Sequence, residues 1–140
     1  MLEKAARAGE SSAAFRLGML YDDGDGVTQD RARALAYFKS AAAGGANEAF
    51  YNIGSNYVSA RGVKRDYVEG LAWLILAKKH GAASEGETAV RERLQKTNRS
   101  EQIAAAEKRT LEIERELAAK KSAEFLPPPV PFALAPAAAK

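Results

Sequence analysis

The chain has 140 residues, 46% of them hydrophobic, a formal net charge of +3 and no cysteine. That length suits one compact domain or a short helical array, and the missing cysteine excludes disulfides, thiol catalysis and cysteine-ligated zinc. Charge is mixed along the chain, with 11 Lys and Arg against 9 Asp and Glu in residues 1–84 and 10 against 9 in residues 85–140, so no basic stripe points to nucleic acid.

No apolar run approaches the ~20 residues of a membrane span. The opening Met1-Leu2-Glu3-Lys4-Ala5-Ala6-Arg7 has no apolar stretch of the kind a signal peptide carries. The cytoplasm and the periplasm are both compatible with this composition.

The chain repeats itself. Setting residues 10–45 against 46–81 aligns ten identities at a spacing of 36: Ala13/Ala49, Gly18/Gly54, Tyr21/Tyr57, Gly26/Gly62, Val27/Val63, Asp30/Asp66, Leu35/Leu71, Ala36/Ala72, Ala41/Ala77 and Gly45/Gly81. Chance at ordinary composition gives about three or four. Leu17/Ile53, Phe15/Tyr51, Tyr37/Trp73 and Phe38/Leu74 keep their character. A fixed period of this length is the mark of a repeat array.

In the same frame Leu2 corresponds to Phe38, Ala5 and Ala6 to Ala41 and Ala42, and Gly9 to Gly45. Residues 1–9 therefore read as the second half of a preceding repeat. Residues 11–22 follow as the first helix of repeat one, with Phe15, Leu17, Leu20 and Tyr21 apolar and Ala13, Ala14 and Gly18 small. A glycine inside a helix costs roughly 1 kcal/mol against alanine. Its use in both repeats predicts close approach of a neighbouring helix. Gly24 and Gly26 break the helix, and Val27 plugs the loop against the core.

Asp30 is placed to cap the next helix, its carboxylate taking free backbone N–H groups of the first turn. That helix runs to about Ala43, with Ala34, Leu35, Phe38, Ala41 and Ala42 at helical spacing, and Gly44-Gly45 stops it. Repeat two has the same plan: a helix over 47–58, a loop over 59–65, a cap at Asp66, a helix over 67–79 and a stop at Gly81. Beyond Gly81 the period is lost but helical character persists. Residues 85–95 carry Ala89, Val90 and Leu94. From Ser100 to about Ala123, Ile103, Ala106, Thr110, Ile113 and Leu117 form a narrow apolar stripe, as expected of capping helices over 82–124. Residues 125–140, with Pro127, Pro128, Pro129, Pro131 and Pro136, read as an extended or flexible tail.

The paired blocks resemble the Sel1-like repeat family, a branch of the tetratricopeptide-like helical arrays. Repeat one matches the family pattern at Ala13, Leu17, Gly18, Tyr21, Gly24, Gly26, Val27, Asp30, Ala34, Ala41, Ala42 and Gly45. Repeat two matches at Ala49, Ile53, Gly54, Tyr57, Gly62, Val63, Asp66, Trp73, Ala77 and Gly81, and departs from it at Ala60, Gly70 and Lys78. The resemblance implies an all-α fold, a right-handed α-solenoid of antiparallel helix pairs with a concave inner face. It also implies a non-catalytic scaffold or adaptor that holds other proteins, with no cofactor.

Candidate sites are few. His80 is the only histidine, which supports neither a catalytic triad nor a metal cluster; a place at a helix C-terminus accounts for it. Asp22, Asp23, Asp25 and Asp30 do not fit a calcium loop, because the glycine comes early and the twelfth residue from Asp23 is Ala34. Pro128-Pro129-Val130-Pro131 contains a PxxP that suits an aromatic groove or a plain linker. If Leu17, Gly18 and Tyr21 pack between helices, Ser12, Phe15, Arg16, Met19 and Asp22 face the inner surface, with Glu48, Tyr51, Asn52, Ser55 and Val58 as their counterparts. Phe15, Met19 and Tyr51 beside Arg16 and Asn52 would offer aromatic anchors and polar donors for a peptide; Phe15 and Tyr51 packed only on neighbouring helices is the alternative. A different reading is self-assembly: the half-repeat at residues 1–9 would leave Leu2, Ala5 and Ala6 uncovered, and pairing of two copies would bury them.

Overall fold

A computed structural model describes residues 2–82 and 85–122 of the chain. The proline-rich tail, with its PxxP motif, lies outside the described residues. Six helices follow one another: α1 Leu2–Asp23, α2 Arg31–Ala43, α3 Ala49–Ser59, α4 Tyr67–Lys79, α5 Glu85–Lys96 and α6 Glu101–Ser122. Among the described residues there is no strand.

The expected punctuation is present. The Asp30 carboxylate accepts the Arg33 N–H at 3.0 Å, and the Asp66 carboxylate accepts the Glu69 N–H at 3.0 Å. After α2 the chain turns left-handed at Gly45, φ 104°, and the Ala46 N–H reaches back to the Ala41 carbonyl at 2.9 Å. Gly81, φ 100°, and the Ala82 N–H to the Ala77 carbonyl at 3.0 Å repeat that turn after α4. One boundary differs from the sequence reading. The helix expected to start near residue 11 starts at Leu2 and passes through Gly9 without a stop, so residues 2–9 extend α1 rather than form a helix of their own. Gly45 and Gly81 are each followed by a turn that satisfies the last carbonyls. Gly9 is followed by Glu10, Ser11 and Ser12 with α1 continuing, and one interior glycine costs only about 1 kcal/mol in such a run.

α1 packs on α2 and α3 on α4, with α2 against α3, and α4 against both α5 and α6. Small residues set the pair distances. A Cβ on Gly18 would fall 2.6 Å from the Phe38 ring and 3.2 Å from the Ala34 carbonyl oxygen; one on Gly54 would fall 2.8 Å from Leu74 and 2.9 Å from the Gly70 carbonyl oxygen. Gly70, the departure from the family pattern, has its own reason. A Cβ there would lie 2.6 Å from the Val58 side chain, so repeat two brings glycine against glycine where repeat one brings Gly18 against Ala34. Val27 and Val63 pack on the core as loop plugs.

α6 ties the array together. Ala106, Thr110 and Ile113 are buried and Ile103 and Leu117 partly so, which is the predicted stripe. Ile113 joins the main core with Tyr37, Phe38, Ile53 and Leu76, whereas Ala106 joins Leu71, Leu74, Val90 and Leu94. The pairings Glu69 with Arg109, Ala72 with Thr110, and Lys79 with Glu114 advance together along both chains, so α6 runs parallel to α4. Arg109 grips Glu69 through two bonds, 2.8 and 3.2 Å, and also reaches Glu116 at 3.0 Å. The same Glu69 carboxylate accepts the Trp73 indole N–H at 3.2 Å. Hydrogen bonding to Glu69 raises the Arg109 guanidinium above the ordinary arginine value, so the guanidinium stays cationic.

Two measurements follow from this packing. Ala60 takes the left-handed place, φ 59°, that Gly24 fills in repeat one. Ala60→Gly should remove that strain and raise stability by about 0.5–1 kcal/mol in urea denaturation; an unchanged or lower midpoint would contradict the assignment. Arg109→Ala should lower stability by roughly 1–3 kcal/mol and shift the emission of Trp73, the single tryptophan. Unaltered emission would show that Glu69 is not held between the two.

Candidate functional site

The turn after α2 delivers Asn47 and Glu48 to the start of α3, one turn before Tyr51 and Asn52. The matching turn after α4 places His80, Gly81 and Ala82 alongside. Phe15 of α1 closes the third side. Together these residues and Ala77 line an open groove of about 490 Å³.

Its surfaces are mixed. Tyr51 is 46% exposed, and Gly86 of α5 lies opposite, where a Cβ would stand at contact distance, 3.4 Å from the ring edge. Phe15 is half-buried and tilts against Phe38, centroids 5.6 Å apart. Phe15 is thus a core neighbour and Tyr51 the more exposed ring. The Asn52 amide donates to the Met19 sulfur at 3.4 Å, which joins α1 to α3 across the face. His80 caps α4, and its ring lies 5.2 Å from that of Phe50.

Of the residues expected on the binding face, Phe15, Glu48, Tyr51 and Asn52 come together in the groove. Met19, 37% exposed, adjoins it through Asn52. Ser12 and Arg16 are exposed and Ser55 is half-buried, and none of the three lines the groove. Asn47, Ala77, His80, Gly81 and Ala82 were not anticipated. The period pairs positions in α1 with positions in α3 but says nothing of the α4 terminus that forms the far wall. His80 was read only as a helix-end residue. Its place one before the αL glycine was the available signal, because that turn exposes whatever precedes it.

The acidic loop residues have other partners. Asp30 caps α2, the Asp22 carboxylate lies 3.7 Å from Arg31, and the Asp22 carbonyl accepts the Gln29 amide at 2.8 Å. Among the described residues the groups displaced from their ordinary pKa are Tyr37, Arg91 and Arg109, and all three move up, away from neutrality. Burial raises Tyr37, with the Tyr21 hydroxyl adding to it. Burial pulls Arg91 down but is outweighed by its bonds to Glu87 and Glu107.

No helix among the described residues is long and apolar enough to cross a membrane. Comparison with curated proteins and with solved structures yields no match. The Sel1 repeat model matches residues 11–45 and 48–81, the two blocks that the helix pairs α1/α2 and α3/α4 occupy. Sel1 repeats generally mediate protein–protein interactions, and the family is generally one of non-catalytic scaffolds. With two tandem matches, glycine-spaced helix pairs and aspartate caps at the repeat positions, the chain belongs to the Sel1 repeat family.

Proposed function

We propose that the groove between α1, α3 and the end of α4 binds an extended peptide segment of a protein partner, and that the chain acts as a non-catalytic adaptor. The observation that carries this is the exposed Tyr51 ring beside Phe15 and the Asn47 and Asn52 amides, in an open cleft of about 490 Å³. An aromatic ring that is already ordered gains contact area at small entropic cost, which is why such residues anchor interfaces. Asparagine amides can both donate to and accept from a peptide backbone. Glu48 and His80 flank the cleft and give it polar ends.

The wider set of Ser12, Arg16, Met19 and Ser55 extends the same face along α1 and α3, and on this reading contributes at the rim.

Affinity capture from an extract of the source organism tests the site. The native chain should retain a partner that Tyr51→Ala with Asn52→Ala loses by tenfold or more, with an unchanged circular dichroism spectrum. Arg16→Ala should weaken capture by only a few-fold, as a rim charge does. Full retention by the double variant would remove this groove as the binding site.

A further inference from the structure

The opposite end of α4 holds a second surface of another kind. The loop before α4 carries Arg61, Lys64 and Arg65, and the end of α5 with its following turn carries Arg93, Lys96 and Arg99. All six are exposed. The two groups are more than 25 residues apart along the chain, and the packing of α5 on α4 brings Arg93 and Arg99 to Arg65 and Tyr67. Arg65 and Arg99 line one groove of about 310 Å³ with Asp66, Tyr67, Val68 and Gln102, and the Arg93 guanidinium lies 5.9 Å from the centre of the Tyr67 ring.

This end gathers cations that have no acidic partner. Arg31, Arg33, Lys78, Lys79, Arg91 and Arg109 each have a carboxylate within ion-pair distance. Among the described residues none of the six cations at this end has one. Of the nearby acids, Asp66 caps α4 and Glu69 is held by Arg109 and Trp73, while Glu92 and Glu101 are exposed and pair with none of the six. Arg65 is also pre-positioned. Its Nε donates to the Val58 carbonyl at 3.1 Å, which leaves the terminal amino groups of the fork for a ligand. A guanidinium fixed in this way binds a carboxylate with less loss of rotamer freedom than a free one.

We propose that this groove docks an acidic segment of a protein partner, with carboxylates at Arg65 and Arg99 and an apolar side chain between them on Tyr67 and Val68. The lining favours a peptide over nucleic acid. Tyr67 is partly covered by Arg93 rather than open for base stacking, and Val68 beside it in the lining offers a contact for an aliphatic side chain. The surface is separate from the groove at Tyr51, which lies at the other end of α4.

Fluorescence anisotropy on the full chain tests the proposal, with a labelled, end-capped decapeptide of alternating Glu and Leu as probe. The same peptide with Gln in place of Glu, and a ten-nucleotide poly-dT, serve as comparisons. The Glu peptide should bind most tightly, and Arg65→Glu with Arg99→Glu should weaken it tenfold or more. Lys108→Glu with Arg115→Glu, an equal change in net charge on α6, should change affinity less than twofold. If the reversal lowers the thermal midpoint, Lys96→Gln with Arg99→Gln carries the test, since neither side chain makes a packed contact. Equal losses in the two reversal variants would show attraction to net charge alone and overturn the proposal. So would failure of the Glu peptide to bind better than the Gln peptide, or tighter binding of poly-dT that the Arg65/Arg99 variant abolishes.

Discussion

Two glycines set the distance at which the helices of this chain pair. With Gly18 against Ala34 and Phe38, and Gly54 against Gly70 and Leu74, α1 lies on α2 and α3 on α4 closer than any side chain at those positions would allow. The rest of the architecture depends on that spacing. Close helix backbones leave little room for large side chains between them, so alanine suffices on the inner faces at Ala14, Ala34, Ala41 and Ala49. The large residues then pack across each pair, Phe38 on Phe15, Tyr37 on Tyr21 and Phe50 on Trp73, and join one core. Because both glycines recur at the same place in the repeat, the two pairs present equivalent faces.

What the sequence revealed and what it withheld follow from the range of each interaction. Caps and stops are local. Asp30, Asp66, Gly45 and Gly81 act within a few residues of themselves, and their roles were legible from position alone. The stripe on α6 was legible too, because a helix must bury a face of fixed period. The partner of that stripe was not. The bonds from Arg109 to Glu69 and from Thr110 to Ala72 join residues 40 and 38 positions apart with no repeat to align them. Gly9 misled for a related reason: a lone glycine does not stop a helix unless the following residues complete the turn. In the proposed groove, the period links Phe15, Glu48, Tyr51 and Asn52, whereas the α4 terminus reaches it through packing alone.

The two ends of α4 carry different surfaces. At its C-terminal end, rings and amides form the mixed cleft proposed to take an extended peptide. At its N-terminal end, cations from the loop before α4 and from the end of α5 and its following turn stand without carboxylates. α4 touches α3, α5 and α6. On the proposed reading, a rigid element with distinct surfaces at its two ends would hold two partner segments at a fixed separation without any moving part. That separation is about the length of a 13-residue helix, near 20 Å.

Site-specific photocrosslinking tests the central claim, that the face around Tyr51 is where a protein partner sits. A benzophenone amino acid would replace Tyr51 in the full chain inside the source cell, and in a second sample Leu111, which is 52% exposed on α6. The account predicts a discrete protein adduct from position 51 and none of comparable yield from position 111. An adduct from position 111 alone would place the partner on α6 and contradict it.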